Sequence, residues 1–335
     1  MIYEQENIFL TDILPILDHF GLRVREQEAF TLKVAKPVVI DSFFVEGSSL
    51  PLGKDEEGKA RLLDALAAVF SGRVADDPLN RLVSLTSMTW EEVDVVRGYL
   101  GYSRQLLPVY TPEVVRQVLL DKPEFAVLLA EAFRGRFNPD LKLSAKARME
   151  RFSGIAESFR EKLREVSSFS QDRILKMLFN LIESTLRTNF YREDRVFHYI
   201  SFKLDCAAVE EMTDPRPWRE IYVHHVNMEG IHMRGGAVAR GGIRWSDRPD
   251  DYRSEVLGLM TTQMVKNTLI VPVGAKGGFV LKRSPEDGNV RAFADHMYTF
   301  FIRGLLDVTD NRVDGKIVPP PRAVSYTHLP SPRDS

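Results

Sequence analysis

A single cysteine in 335 residues leaves Cys206 without a partner inside the chain. That excludes an internal disulfide framework and fits a reducing compartment. As a lone thiol, Cys206 is expected in the core. Long apolar runs are also missing: no stretch reaches the length needed to cross a bilayer. The opening residues "MIYEQENIF" lack the charged-then-apolar order of a signal peptide, so a cytoplasmic protein is expected. There is no excess of one charge. The 45 Lys and Arg stand against 47 Asp and Glu, a net charge of -2, which gives no footing for a nucleic-acid or membrane surface. Several catalytic signatures are absent. In "GAKGG", Gly277 follows the lysine where a phosphate loop needs Ser or Thr, and there is no G-x-G-x-x-G, H-E-x-x-H or paired C-x-x-C. His224 and His225 are adjacent, so on a strand they face opposite sides, and no metal site is assigned.

What remains is ordinary globular composition, 44% hydrophobic and 27% charged, at a length that suits two or three domains. Residues 1–50 read as a small α/β unit. "TDILPILDHFGL" offers Thr11 as N-cap, an apolar face of Ile13, Leu14, Ile16, Leu17 and Phe20, and Gly21 as terminator. "LRVREQEAFTLKV" and "PVVIDSFFVE" read as strands. A polar linker, "GSSLPLGKDEEG", leads into a helical region taken as residues 51–190. There "TWEE" predicts a capping box between Thr89 and Glu92. Pro112 and Pro123 sit at helix starts. Met149, Phe152, Ala156, Phe159, Leu163 and Val166 form a seam along one helix face. "DRILKMLFNLIESTLRTNFY" is expected to continue as one more helix.

From about residue 191 to 322 the texture turns to β-rich runs and glycine bends. A helix is expected from Tyr252 to Lys266 and another from about Val290 to Leu306. Short strands are expected in "TLIVPVG" and "FVLK" on either side of Lys276. This is a layered α/β domain. Its cations gather at glycine bends and element ends. Arg240 precedes Gly241 and Gly242, Lys266 closes a helix, and Lys276 lies between Gly274-Ala275 and Gly277-Gly278. Such a set suits a dianionic ligand through charge-assisted bonds. From the residues alone Lys276 is open to three uses: carboxylate anchor, Schiff-base nucleophile or turn residue.

The segment "ARGGIRWSDRPDDYRSEVLGLMTTQMVKNTLIVPVGAKGGFVLK" resembles the substrate-binding segment of glutamate dehydrogenases, above all the large NAD-specific class of bacteria. "SFKLD", "TLRTN", "FIRGLLDVTDN" and "GKIVPPPR" resemble the same class. The resemblance is strong over roughly 170–322, and the α/β start resembles part of an ACT-type regulatory module. It implies NAD-dependent oxidative deamination of L-glutamate to 2-oxoglutarate and ammonium in the full-length enzyme. Lys276 matches the catalytic lysine, which polarises the 2-oxo carbonyl and orders the reacting water. Lys266 matches the lysine on the substrate α-carboxylate, and Gln263 a substrate-contacting glutamine. Gly241 and Gly242 match the glycine pair whose backbone approaches the substrate. Arg240 stands where the short enzymes carry a lysine for the side-chain carboxylate, and Arg244 matches an arginine read as structural.

The resemblance further implies that the catalytic aspartate and the NAD-binding domain lie outside this chain. The chain is then a fragment, expected to be inactive alone, of an enzyme that is a homo-oligomer when whole. Residues 323–335, ending "SYTHLPSPRDS", are expected to be a non-native or disordered tail. Two alternatives stay in view. One is a non-catalytic amino-acid-sensing module resting on residues 1–50. The other is a dehydrogenase of the same superfamily acting on another amino acid.

Overall fold

The chain forms two units, residues 1–94 with 119–127 and residues 95–118 with 128–335. The computed structural model describes residues 2–4, 9–32, 38–46, 56–194, 197–266, 272–285 and 288–326. Most of the expected 47–58 linker and the last nine residues of the expected tail lie outside them.

In the first unit, β1 (Ile2–Glu4), β2 (Arg23–Leu32) and β3 (Val38–Glu46) form an antiparallel sheet in the order β1-β3-β2, with α1 (Leu10–His19) between the first two strands. Ile13, Leu17 and Phe20 are buried, as the helical spacing predicts, whereas Leu14 is exposed. Thr11 is not the cap: the cap position is Phe9, two residues earlier, with no side-chain cap bond. Gly21 does end the helix, at φ +77, where a side chain would be strained. Helices α2 (Glu56–Phe70) and α3 (Arg81–Leu85) follow, while α4 (Trp90–Leu106), α5 (Pro112–Asp121) and α6 (Pro123–Phe137) are each divided between the first and second units. The capping box forms: Thr89 N–H donates to the Glu92 carboxylate and Glu92 N–H to Thr89 Oγ1, both at 3.3 Å. Pro112 and Pro123 open their helices, positions that need no backbone donor.

In the second unit, α7 (Ala145–Leu163) buries Phe152, Ala156, Phe159 and Leu163 of the predicted seam, whereas Met149 is exposed and Val166 lies past the helix end. Phe152 and Phe159 pack on Phe179 of α8 (Phe169–Ser184), with ring centroids 5.4 and 4.4 Å apart. The seam thus closes on the neighbouring helix. The helix expected to run through "TLRTNFY" stops at Ser184, and Thr185–Thr188 is instead strand β4, paired with β5 (Ile200–Asp205). The reason is tertiary. Arg187 is fully buried and its guanidinium donates to Val308 O, Asp310 and Ser325, a set of partners that a continuing helix does not supply.

The sheet continues through β6 (Arg219–His225), β7 (Met228–Arg234), the short β8 (Ala239–Arg240) and β9 (Ile243–Trp245), α9 (Tyr252–Lys266) and β10 (Val273–Leu281). Its order is β4-β5-β6-β7-β10-β8, with β9 also on β10. Strands β4 to β7 and β10 are antiparallel, while β8 and β9 run parallel to β10. Both predicted helices of this region form, α9 and α10 (Val290–Leu306). The two strands expected around Lys276 are one: β10 passes straight through it, and residues 267–271 of "TLIVPVG" lie outside the described residues. A hairpin of β11 (Asn311–Val313) and β12 (Lys316–Val318) follows. Of the expected tail, Ser325 bonds Arg187, and Tyr326 lies 4.2 Å from the Arg136 guanidinium.

Side chains alternate across a sheet, so the register defines two faces. One face bears Phe202, Tyr222, Ile231 and Gly278, and beside them Leu204, Glu220, Met233 and Lys276. There α9 lies over β10, and the second half of α4 meets β5 and β6. A Cβ on Gly98 would stand 2.8 Å from Phe202, and one on Gly101 would stand 2.6 Å from the Tyr222 hydroxyl. The other face packs on α10, where Phe279, Met297, Phe300 and Phe301 share a core with Ile221, Val223 and Met228. Cys206 is fully buried, as expected of a core thiol. Among the described residues no helix is long and apolar enough to cross a membrane.

Candidate functional site

Strand β10 sets the geometry. Gly274, Lys276 and Gly278 alternate onto the face that meets α9. A Cβ on Gly274 would lie 3.2 Å from Gln263 Cβ, and one on Gly278 would lie 2.6 Å from Val256. The two glycines let α9 sit close to the strand, and the half-buried Lys276 side chain rises between them. Among the described residues Lys276 forms no hydrogen bond or ion pair.

The glycine pair lies along the edge of the same strand that faces away from β7, between β8 and β9. Arg240 pairs with Gly274 and Ile243 with Gly277, so Gly241 and Gly242 span the stretch opposite Ala275 and Lys276. Gly277 N–H donates to Gly242 O at 3.1 Å. A Cβ on Gly241 would fall 1.4 Å from Ala275 O, so only glycine fits there. Gln263 ties the helix to this turn by donating from Nε2 to Arg240 O at 3.1 Å, and its buried Oε1 has no partner among the described residues. Lys276, Gln263, Gly241, Gly242 and the Arg240 backbone therefore come together. The Arg240 side chain is exposed.

Lys266 is placed differently. It ends α9 one turn past Gln263, exposed, and lines an open groove of about 590 Å³ with Pro215, Leu257, Thr261 and Val265. Lys276 is not among the residues that line that groove.

Helix α9 is held at its start by buried charge. Arg253 donates to both Glu220 oxygens, at 3.0 and 2.9 Å, with both side chains buried. Ser246 Oγ donates to Glu255 at 2.9 Å, and Arg244 pairs with Glu255 at 2.8 Å. The Glu220–Arg253 pair was missed from sequence. Its one signal was an acid at an inward position of the β-rich run "REIYVHH". The acids near residue 310 have other partners. Asp307 accepts from Asn189 and Tyr199 at 2.9 Å and from Arg192, and Asp310 accepts from Arg187.

The family model for bacterial NAD-glutamate dehydrogenase, catalytic domain, matches residues 158–329, just over half of the chain. The chain belongs to this family. Two further glutamate dehydrogenase models match, helical motif 3 over residues 74–139 and the ACT3 domain over residues 1–56. A protein named NAD-specific glutamate dehydrogenase from Pseudomonas aeruginosa is 39% identical over 328 residues, covering 95% of this chain and 20% of the relative. Proteins of the same name from Halomonas elongata and Mycobacterium tuberculosis are 38% and 37% identical over 324 and 336 residues, covering 20% and 21% of their lengths. This glutamate dehydrogenase chain therefore spans about a fifth of these curated relatives.

Proposed function

We propose that the protein to which these residues belong oxidises L-glutamate with NAD and water to 2-oxoglutarate, ammonium, NADH and a proton. The observation that carries this reading is the β10–α9 arrangement. It combines Lys276, unpaired among the described residues and set between two glycines, with Gln263 and the Gly241-Gly242 backbone beside it and exposed cations at Arg240 and Lys266. A five-carbon dicarboxylate needs two cationic contacts and one polarising group. We assign Lys266 to the α-carboxylate, Arg240 to the side-chain carboxylate and Lys276 to the 2-oxo carbonyl oxygen and the reacting water. Positive charge placed where negative charge develops is the main lever for such a step. The glycines let backbone and substrate approach closely.

NAD, when bound, accepts the hydride from the α-carbon. Its use here is inferred from the relatives' names. Helix α9 opens after Asp250 and Asp251 and α10 opens on an Asn289 cap. Neither presents the glycine-rich turn that holds a pyrophosphate, so no residue here is assigned to the cofactor. We further place the protein in the cytoplasm as a homo-oligomer, with residues 1–56 as an ACT-like regulatory unit.

The test is glutamate-dependent NADH formation by the complete protein. Lys276→Met is expected to lower kcat by at least about 10³-fold, as for loss of a principal electrostatic group. Arg240→Ala should erode the preference for glutamate over leucine. An unchanged rate in Lys276→Met, or no turnover of glutamate beside turnover of another amino acid, sinks the reading.

A further inference from the structure

On the sheet face opposite Lys276, two adjacent cross-strand rungs carry an unusual run of cations. The first rung is Arg187, Lys203, Ile221, His232 and Gly277, each opposite the next on neighbouring strands. The second, two residues along each strand, is Asp205, Arg219, Arg234 and Ala275. Residues two apart on a strand share a face, so Lys203, Arg219 and Arg234 point the same way. They line a cavity of about 200 Å³ together with Trp218, His232 and Asp310.

The charges there do not cancel. Asp310 is the one acid in the lining, and it accepts from Arg187 at 2.8 Å. Asp205 accepts from Arg219 at 2.7 Å. Lys203 and Arg234 are left without a counter-charge, Arg234 donating from Nη2 to Ala237 O at 2.6 Å. Among the described residues the Lys203 ammonium forms no hydrogen bond or ion pair, and the buried Arg234 Nε has no partner. Burial, and next the nearby Arg187, push the Lys203 ammonium down to about 8. Burial also drives His232 down to about 4, which leaves it neutral near pH 7.

We infer that this cavity is a binding site for a compact oxyanion, phosphate or a short carboxylate, distinct from the Lys276 site. Lys203 and Arg234 supply the charge-assisted donors, and an anion against Lys203 favours its charged form and offsets the cost of burying it. The volume lies below the usual ~300–1,000 Å³ of small-molecule pockets, which suits a compact anion and not a dinucleotide. The site does not depend on the reaction proposed above, because it occupies the other face of the sheet.

The test is thermal unfolding of the 335-residue chain in sodium phosphate and in sodium malonate, each against sodium chloride at equal ionic strength. A ligand bound only by the folded state raises Tm with its concentration. The expected result is a saturable rise with phosphate, malonate or both. Lys203→Met and Arg234→Gln should each weaken it at least tenfold in apparent affinity, and Lys276→Met should leave it in place. Lys203→Met keeps side-chain length and removes a buried charge, so it is expected to fold; Arg234→Gln provides an independent arm. A response no different from chloride overturns the inference. So does an undiminished rise in both pocket variants, or its loss in Lys276→Met.

Discussion

Gly241 and Gly242 are neighbours with different jobs. A Cβ on Gly241 would collide with Ala275 O, while one on Gly242 would meet nothing within 4 Å. Gly241→Ala must push β8 away from the strand that carries Lys276. It is expected to destabilise the chain by about 2 kcal/mol or more, as for other steric insertions at a packed backbone. Gly242→Ala should stay within about 0.5 kcal/mol of the parent, the usual range for an unencumbered site. Urea denaturation of both variants checks this, and equal losses would refute it. The sequence displayed the pair as a motif, but which glycine is sterically required is decided by a carbonyl 34 residues further along the chain.

Helix α9 was legible as an element from its apolar spacing, and both of its ends fell where the pattern put them. Its attachment was not legible. The Arg253–Glu220 pair joins residues 33 apart, and nothing local marks one as the partner of the other. Both side chains are buried, so removing one leaves a desolvated charge. Arg253→Met is expected to cost about 3–5 kcal/mol. The double variant with Glu220→Leu should recover much of that loss, because no buried charge is then left unpaired. Chemical denaturation of the two single variants and the double variant completes the cycle. Full additivity would show that the two side chains do not act as a pair. The α7 seam shows the converse. Its spacing gave the middle of the buried face, Phe152 to Leu163, while the structure supplied the partner, Phe179 of α8, and left Met149 exposed and Val166 past the helix end.

At the scale of the whole molecule, buried histidine gives stability a pH dependence. His232 is held near 4 in the folded chain, chiefly by burial and then by Arg234, against about 6.5 when unfolded. Between those values the unfolded state binds the proton and the folded state does not. The contribution is therefore fully present above pH ~6.5 and is lost as pH falls toward 4, amounting to about 3 kcal/mol at most. Thermal unfolding at stepped pH should show this acid limb, and His232→Gln should flatten it; an unchanged slope in the variant would count against the assignment. Much else at this scale was open to sequence reading. The α/β start, the helical middle and the β-rich end have distinct periodicities, and period is a local property. The segment carrying Lys266, Lys276 and the glycine pair was visible for the same reason, since its residues lie within one short stretch. Two boundaries failed where distant groups outweighed local preference. Arg187 leaves helical geometry at β4 for partners at Val308, Asp310 and Ser325, and Gly277 and Gly278 stay in strand because β7 and β9 pair with them along both edges of β10. By itself the sequence determined the elements and the chemical inventory, because hydrophobic period and residue type are written along the chain. Only the tertiary structure decided which cations remain without a counter-charge, because pairing and burial depend on strand register and on residues far apart in the chain.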